Sequence, residues 1–442
     1  MKYDIGITNA IMLSAHNNYV PRIVSVGITG DRIAKISDHE ADIIDCQVLI
    51  DGEDKILMPG LVNGHCHGDM TFARGLGDDL TLSEQNKSFA STNWFYSLIN
   101  DEDRYYSRQL TYCEALLSGT TFIAENMYWS LGSKAIKAMQ EVGIKGALVE
   151  DVRKDFSRPK ELVTEEQIAE FISGCKAEGL IPVLGTISEE DFDTELLNRI
   201  KKMLMHFGIK QTCHLAENTW RVQIVKGRFQ KTPVDYLYHN GFLNDRLIGS
   251  HVVHVSEEEL SQLAEKGVKV VNTPLCEMKI CDGVAPVPDM VRKGITVCLG
   301  TDGALWNNSN DIFREMKGLS LLHTINSGVR SIGKKDILNM ATINGYKSFG
   351  IERDYGTVEE GKKASLILIE TRVPQMRPLR LGDFENVTSH VIYNATGSNV
   401  TDVLVDGNHL VKEKRLLYTD INFIIRKAEE ASEKVVLGLR RS

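Results

Sequence analysis

Residues 57–75 read LMPGLVNGHCHGDMTFARG, and this stretch places two histidines at the end of an apolar run. His65 and His67 are two residues apart, so in an extended segment both side chains point to the same side. Cys66, between them, points the other way. Two imidazoles on one face can bind a divalent transition metal ion. The stretch therefore predicts a strand that ends in a pair of metal ligands.

The chain around this stretch alternates short apolar runs with segments of helical period, which is typical of repeated βα units around a parallel sheet. Eight runs have the character of strands: LMPGLVNGHCHG, TTFIAEN, IKGALVED, LIPVLGTIS, IKQTCHLAEN, RLIGSHVVH, VKVVNTP and ITVCLGTDG. Eight such units predict an α/β fold of the (β/α)8 TIM-barrel type. A doubly wound open sheet is the alternative.

Both ends of the chain show a different pattern, with short alternating segments separated by turn residues. We expect residues 1–56 and 357–442 to form one small β-sandwich domain together, with a helix near the C-terminus. Residues 57–356 then form the barrel domain.

Composition limits the classes of partner. The chain has 442 residues and a formal net charge of -9, which argues against binding to nucleic acid or to an anionic membrane. No apolar run approaches the roughly 20 residues that span a bilayer, and the N-terminus lacks a signal-like pattern. The eight cysteines include no C-x-x-C pair, so we expect reduced thiols and a cytoplasmic protein.

Other titratable residues follow the predicted strands at the same ends. His214 and Glu217 end the fifth strand, His251 ends the sixth, and Asp302 follows the eighth. Catalytic groups of a TIM barrel come from the C-terminal ends of its strands. Four of the twelve histidines lie at three such ends, so one shared site is a better interpretation than scattered surface histidines.

Two neighbouring residues are assigned to structure instead. His254 is three residues beyond His251, so in an extended segment it faces the other way. Asp69 follows the first histidine pair in a loop, and we expect it to hold that loop in place.

Several segments resemble the signature blocks of the amidohydrolase superfamily: PGLVNGHCHG, RGLGDD, CHLAEN, SHVVH and LGTDGALWNN. Within it they resemble the branch of metal-dependent aminohydrolases and chlorohydrolases. That branch includes S-adenosylhomocysteine/methylthioadenosine deaminases, guanine deaminases and triazine hydrolases. The resemblance covers nearly the whole chain, and its motifs are specific for the branch but not for the substrate.

The resemblance implies one divalent metal ion held by His65, His67, His214 and Asp302. Zinc is the default, and iron also suits three imidazoles and a carboxylate with an open position. Some superfamily members hold two metal ions bridged by a carbamylated lysine at the end of the fourth strand. LIPVLGTIS has no lysine, so we expect a single ion.

The resemblance also implies the catalytic roles of three residues. Asp302 accepts a proton from water as a metal-bound hydroxide forms, Glu217 protonates a ring nitrogen, and His251 hydrogen-bonds to the tetrahedral centre. The prediction is a hydrolase acting on carbon–nitrogen bonds other than peptide bonds. It releases ammonia from a small amino-substituted N-heterocycle of the purine, pyrimidine, pterin or triazine type.

The chain departs from the family pattern near the expected mouth of the barrel. Gln85, Glu277 and Trp306 are candidate substrate-binding residues, or they merely pack loops. The stretch GTISEEDFD (185–193) lacks a histidine that nucleoside-processing members usually carry. We therefore expect a smaller or differently polar substrate, such as a free base.

Alternative functions stay open at this point. One is hydrolytic loss of chloride or another non-amine group from a similar ring. Others are an imidazolonepropionase-like cyclic amide hydrolase and, with less support, a non-catalytic scaffold. Barrel relatives are often dimers, so a homodimer stays open beside a monomer by analogy alone.

Overall fold

The computed structural model describes residues 1–88, 97–127, 133–153, 162–185, 189 and 192–440. The chain divides into two compact units. The first unit comprises Met1–Asn63, Cys113–Phe122 and Asp311–Thr419, and the second comprises Gly64–Tyr112, Ile123–Asn310 and Asp420–Ser442. The boundaries expected at residues 56 and 356 stay a prediction.

The chain begins with strands whose apolar side chains face a common core. These strands are β1 (Tyr3–Met12), β2 (Arg22–Thr29), β3 (Arg32–Ser37), β4 (Cys46–Asp51) and β5 (Lys55–Pro59). β1 pairs antiparallel with β2 and parallel with both β4 and β5. Its inward residues Ile5 and Ile7 pack against Val26 of β2 in that core.

A parallel sheet follows, and almost all of its residues are buried, as expected where helices cover a parallel sheet. Its strands are β6 (Leu61–His67), β7 (Thr120–Asn126), β8 (Lys145–Asp151), β9 (Ile181–Gly185), β10 (Lys210–Leu215), β11 (Leu247–His251), β12 (Lys269–Asn272), β13 (Val297–Leu299) and β14 (Asp302–Gly303). Neighbours pair in chain order from β6 to β13, and β14 pairs with β6. Only Gly300 and Thr301 separate β13 from β14, so together they are the predicted eighth strand. This strand pairs with β12 through β13 and with β6 through β14, which closes the sheet. The predicted TIM-type barrel is confirmed.

Helices connect these strands. Up to the end of the barrel they are Leu82–Ser88, Asp101–Leu117, Ser133–Val142, Glu165–Ala177, Thr194–Phe207, Thr219–Phe229, Pro233–His239, Glu257–Glu265, Pro274–Lys279, Val287–Arg292, Ile312–Ser327, Lys334–Ala341 and Ile343–Phe349. Helix Glu257–Glu265 begins with a capping box, in which the side chain of Ser256 accepts a hydrogen bond from the Glu259 amide and the Glu259 carboxylate accepts one from the Ser256 amide. In the described part of the chain, no helix combines the length and the apolarity needed to cross a membrane.

The last strands of the chain complete the first sheet. They are β15 (Leu366–Glu370), β16 (Val400–Val405), β17 (Asn408–Lys412) and β18 (Arg415–Leu416), with the helix Val387–Tyr393 before β16. β15 pairs antiparallel with β5 on one side and β16 on the other, which joins the two chain ends in one sheet. The predicted sheet domain built from both ends is confirmed.

The C-terminal helix, Ile421–Leu439, belongs to the second unit and not to the sheet domain with which it was grouped. Its apolar face includes Ala431 and Val435, which pack with Met70 and Phe72. These residues lie just beyond the histidine pair at the end of β6. The helical period shows which face of this helix is apolar, but it does not identify the surface that covers that face.

Candidate active site

The C-terminal ends of four barrel strands bring the predicted site residues together. These residues are His65 and His67 of β6, His214 of β10, His251 of β11 and Asp302 of β14. The ring of His65 is central, with its centroid 4.9 Å from the rings of both His67 and His214. The ring of His251 is 5.4 Å from that of His65. One compact site thus forms from residues up to 237 positions apart, because parallel strands end at the same rim.

Hydrogen bonding leaves acceptor atoms facing one another in this site. Nδ1 of His67 lies 3.0 Å from the carbonyl oxygen of Asn126 and donates to it, so Nε2 of the neutral ring is an acceptor. That Nε2 lies 3.3 Å from Oδ1 of Asp302 and 3.4 Å from Nε2 of His214. Acceptors this close repel one another unless a proton or a cation lies between them. The donor set of imidazole nitrogens and a carboxylate fits a divalent transition metal.

Two polar contacts to Nδ1 orient the ring of His65. Its Nδ1 contacts the side-chain amide of Asn126 at 2.7 Å and the hydroxyl of Ser250 at 3.0 Å. Its Nε2 then faces Oδ1 of Asp302 at 3.5 Å. Asn126 therefore positions two histidines, one through its side chain and one through its carbonyl. It ends β7, and applying the strand-end argument to amides as well as to histidines would have identified it from the sequence.

The protonation states agree with metal binding by three histidines and one aspartate. Burial lowers the pKa of His67 to about 3 and holds the pKa of His214 well below its ordinary value. Burial alone would raise the pKa of Asp302, but His65 and His67 hold it well below its usual range. Neutral imidazoles and an ionised carboxylate are the forms that bind metal.

His251 differs from the other three histidines. Burial alone would lower its pKa, but the carboxylates of Glu217 and Glu277 raise it to about 9. Nδ1 of His251 lies 2.9 Å from the hydroxyl of Thr273, and Nε2 lies 4.0 Å from Oε1 of Glu217. A protonated imidazole donates hydrogen bonds and cannot ligate a metal. His251 thus suits a role beside the ligands, although its nitrogen lies within 4.8 Å of ligand atoms of His65 and His214.

Glu217 is buried at the start of the segment that follows β10. Its Oε2 pairs with Nη1 of Arg221, four residues on in the helix Thr219–Phe229. Its other oxygen faces His251. The carboxyl group therefore has one oxygen held by a cation and the other directed toward the reaction site.

The backbone is strained where the strands deliver these side chains. Ala216, His251 and Asp302 have φ angles of 48°, 71° and 62°, in the left-handed region that residues with a Cβ rarely adopt. Such strain concentrates at functional sites, where the surrounding structure holds the residue in place.

Glu277 lies beside His251 in the helix Pro274–Lys279, and its carboxylate is held by the two residues before this helix. Its carboxylate accepts hydrogen bonds from the amide of Asn272 at 2.8 and 2.9 Å and from the backbone and hydroxyl of Thr273 at 3.1 and 3.2 Å. Its Oε1 lies 3.7 Å from Nδ1 of His251. These contacts connect Glu277 to the orientation and charge of His251. Its direct contact with substrate stays a prediction.

The other two candidate substrate-binding residues have different surroundings. The Trp306 ring stands edge-on to the His67 ring, with centroids 5.3 Å apart, so it borders the site. The Gln85 amide donates to the carbonyl oxygens of Gly77 and Leu80 at 3.0 and 3.1 Å. These bonds give Gln85 a role in holding its loop, and contact of either residue with substrate stays a prediction.

The stretch GTISEEDFD lies partly outside the described residues, which here include Gly185, Glu189 and 192–193 but not 186–188 or 190–191. Glu189 is buried, and its carboxylate accepts a hydrogen bond from the backbone amide of Ala216. The contact supports the strained segment before Glu217.

Sequence reasoning missed two residues near the site. The thiol of Cys276 donates to Oδ2 of Asp302 at 2.9 Å, and Asp282 lies among the charges around Glu217. Both follow β12, where the sequence shows no motif that marks them. The structural role expected for His254 agrees with its contact, since its Nε2 lies 2.6 Å from the carbonyl oxygen of Asp282.

Residues 56–410 match the Amidohydrolase family. The chain belongs to the amidohydrolase family. This amidohydrolase is 32% identical to a 5'-deoxyadenosine deaminase of Methanocaldococcus jannaschii over 92% of the chain and 95% of the relative. It is 30% identical to a 5-methylthioadenosine/S-adenosylhomocysteine deaminase of Desulfitobacterium hafniense over 94% of both chains.

Solved structures support the fold. An adenosine deaminase from Xanthomonas campestris with bound zinc superposes with a TM-score of 0.90 at 22% identity, covering 98% of this chain and 99% of that one. An atrazine chlorohydrolase from Arthrobacter aurescens complexed with zinc gives a TM-score of 0.86 at 19% identity, covering 97% and 100%. The predicted superfamily and the predicted class of hydrolase acting on carbon–nitrogen bonds are confirmed.

Proposed function

We propose that this amidohydrolase is a zinc-dependent deaminase that releases ammonia from the adenine ring of a nucleoside. The observation that carries the proposal is the constellation of His65, His67, His214 and Asp302 with Glu217 and His251 at one rim of the barrel. The first four would hold one ion. A divalent ion in this site supplies Lewis acidity, which makes a water molecule nucleophilic at neutral pH.

The protein's own groups move the protons of the reaction. Asp302 is ionised and close to the ligand nitrogens, so it accepts the proton that the attacking water loses. Glu217 protonates the ring nitrogen next to the reacting carbon, which avoids anionic charge on the ring. His251 donates a hydrogen bond to the oxygen that adds to that carbon. The proton on Asp302 then passes to the amino group, the proton of the added hydroxyl group passes to Glu217 and replaces the one given to the ring, and ammonia leaves.

The relatives' names favour an adenosine-type nucleoside over the free base expected from the sequence departures. That expectation relied on a stretch that the described residues cover only in part. The names 5'-deoxyadenosine deaminase and 5-methylthioadenosine/S-adenosylhomocysteine deaminase both denote adenosines altered at the 5' position. We therefore propose that the substrate is an adenine nucleoside whose 5' group varies.

A substrate panel tests the proposal. Zinc-loaded protein is assayed for ammonia with 5'-deoxyadenosine, methylthioadenosine, S-adenosylhomocysteine, adenosine, adenine, guanine and an aminotriazine. We expect the highest kcat/KM for one of the nucleosides. Free adenine or a triazine outperforming all nucleosides would overturn the substrate assignment, and silence across the panel with zinc bound would overturn the deaminase.

Two variants locate the chemistry. Glu217→Gln should lose at least about a hundredfold in kcat, the scale expected when one group that acts in the transition state is removed, while its zinc content stays that of the wild type. Glu265→Gln is the matched control, because Glu265 pairs with Lys266 on the exposed end of a helix. Equal activity of both variants would remove Glu217 from the mechanism.

A further inference from the structure

The segment around Asp282 is held firmly beside the site. The amide of Asp282 donates to the carbonyl oxygen of Glu277 at 2.9 Å, and its carbonyl oxygen lies 2.6 Å from Nε2 of His254, which donates to it. Gly283 follows with a φ of 129°, and a Cβ there would lie 2.9 Å from Cγ1 of Val253. The main chain is thereby fixed without any use of the Asp282 side chain.

The side chain itself is buried, and one of its two carboxyl oxygens has no hydrogen-bond partner among the described residues. Asp282 is 7% exposed, and its Oδ2 has no hydrogen-bond partner within the ranges of residues that the structure describes. Burial and then the charge of Glu217 raise the pKa of this carboxyl, while His251 and Arg221 oppose the rise. The amide of Asp282 also bonds to the carbonyl oxygen of Glu277, whose carboxylate lies 3.7 Å from Nδ1 of His251, so Asp282 lies near the proposed catalytic groups. Buried polar atoms are normally satisfied, so an exception at a binding site points to a ligand.

We infer that Asp282 is a specificity-determining residue whose carboxyl group forms a hydrogen bond with the substrate heterocycle. The inference rests on the proposed function, and no motif or comparison assigns this residue. Burial together with the nearby negative charge of Glu217 favours the neutral acid, which can donate a hydrogen bond. An adenine ring offers acceptor nitrogens besides the one next to the reacting carbon, which Glu217 serves. Asp282 donates to one of these.

Analogues that replace one ring nitrogen by a C–H group test the inference. The panel is the preferred nucleoside and its 1-deaza, 3-deaza and 7-deaza forms. We expect the wild type to lose about tenfold to a hundredfold in kcat/KM with the 3-deaza or the 7-deaza form, the range of one buried hydrogen bond. Asp282→Ala should show a similar loss with the parent nucleoside and no further loss with that analogue. Asp282→Asn, whose amide still donates, should keep most of the activity and the discrimination.

Asp289→Ala is the matched control, since Asp289 is half-buried and pairs with the exposed Arg292 in the next helix. Asp282→Leu fills the same space without a hydrogen-bonding group and replaces the alanine variant if that variant does not fold. A folded Asp282→Ala or Asp282→Leu enzyme with wild-type kcat/KM and unchanged discrimination would overturn the inference. So would a wild type that treats the 3-deaza and 7-deaza forms like the parent. A wild type inactive on every nucleoside would instead overturn the proposed function.

Discussion

Two buried clusters of ionisable side chains lie in the second unit, and they differ in the source of their cation. In the arginine cluster, formed by Asp69, Arg108, Tyr112 and Glu125, the protein supplies the positive charge. Nε of Arg108 lies 2.6 Å from Oε1 of Glu125, and its Nη2 lies 3.6 Å from Oδ2 of Asp69. The hydroxyl of Tyr112 donates to the other oxygen of Glu125.

The metal cluster, formed by His65, His67, His214 and Asp302, contains no cationic side chain of its own when its imidazoles are neutral. Burial keeps the pKa values of these imidazoles low, so each ring is neutral and has one nitrogen that can bind an ion beside the Asp302 oxygen. A fixed guanidinium serves stability, because it cannot be exchanged and has no open coordination position. A bound ion serves chemistry, because it can accept a further ligand. The comparison predicts different consequences of removing each cation.

Removal of the metal ion should have the largest effect on activity. Dialysis against a strong chelator should abolish ammonia release, and zinc should restore it. At free zinc 100 times above its Kd, the bound ion should stabilise the fold by about 2.7 kcal/mol, measured as a shift in denaturation midpoint between chelated and zinc-loaded protein. Unchanged activity after the zinc content has fallen to zero would contradict the assignment of the metal cluster.

Removal of the guanidinium should have the largest effect on stability. Arg108→Met leaves two buried carboxyl groups without their cation and should cost about 3 to 5 kcal/mol of unfolding free energy, measured by chemical denaturation. Lys137→Met is the control, since Lys137 forms an exposed pair with Glu141 worth at most about 1 kcal/mol. A second substitution, Glu125→Gln, should recover part of the loss. Equal stability of the Arg108 and Lys137 variants would show that the cluster is not held by its charge.

The two clusters also differ in how far the sequence revealed them. Strand position predicted that the four members of the metal cluster lie at one rim of the barrel, and the family resemblance implied that they bind one ion. Asp69 was expected to hold its loop in place, and its approach to Arg108 was not predicted. Arg108 lies within a helix, and no periodic pattern shows that a helical arginine faces a carboxylate on β7.

The same reasoning explains what was missed near the metal cluster. Cys276 lies in the helix Pro274–Lys279 after β12, and Asp282 lies in the loop that follows this helix. Their positions near Asp302 and Glu217 depend on tertiary contacts, so the local sequence gives no signal of them. The docking of the C-terminal helix onto the residues after β6 was missed for a similar reason. Strand and helix periods predict faces, whereas contacts between loops depend on the assembled fold.

The clusters should respond to pH in opposite directions. Burial raises the pKa of Glu125 from 4.5 to about 7 although Arg108 opposes it. Because this pKa is higher in the folded than in the unfolded state, the stability that Glu125 contributes is fully present below pH 4.5 and is lost as the pH rises through about 7. The pKa of His67 is lowered from 6.5 to about 3, so its contribution is present above pH 6.5 and is lost as pH falls toward 3.

Glu125→Gln separates these effects, because glutamine stays neutral at every pH. As the pH rises from 4.5 to 7.5, the unfolding free energy of this variant minus that of the wild type should increase by about 1 to 3 kcal/mol. The measurement is denaturation of both proteins at both pH values with zinc in excess. Glu141→Gln, on the surface of a helix, should show no such gain. If the difference in unfolding free energy between the Glu125 variant and the wild type is the same at both pH values, Glu125 does not titrate in this range.

The smallest predicted effect comes from changing Asn126, which orients a metal ligand but does not itself bind the ion. Asn126→Ala removes the amide that contacts Nδ1 of His65 and leaves the backbone carbonyl that holds His67. Zinc affinity should fall by about tenfold, the lower end expected for a residue that orients a metal ligand, measured by competition with a chromophoric chelator.

Ser250→Ala removes the second contact to the same nitrogen of His65 and should have a smaller effect, because Asn126 still orients the ring. Gln85→Ala is the control, since Gln85 holds a loop through carbonyl oxygens rather than through a ligand. If Asn126→Ala binds zinc as tightly as Gln85→Ala does, the ligand geometry must be maintained by packing alone. In that case the metal cluster would resemble the arginine cluster in depending on its fixed protein surroundings rather than on one orienting amide.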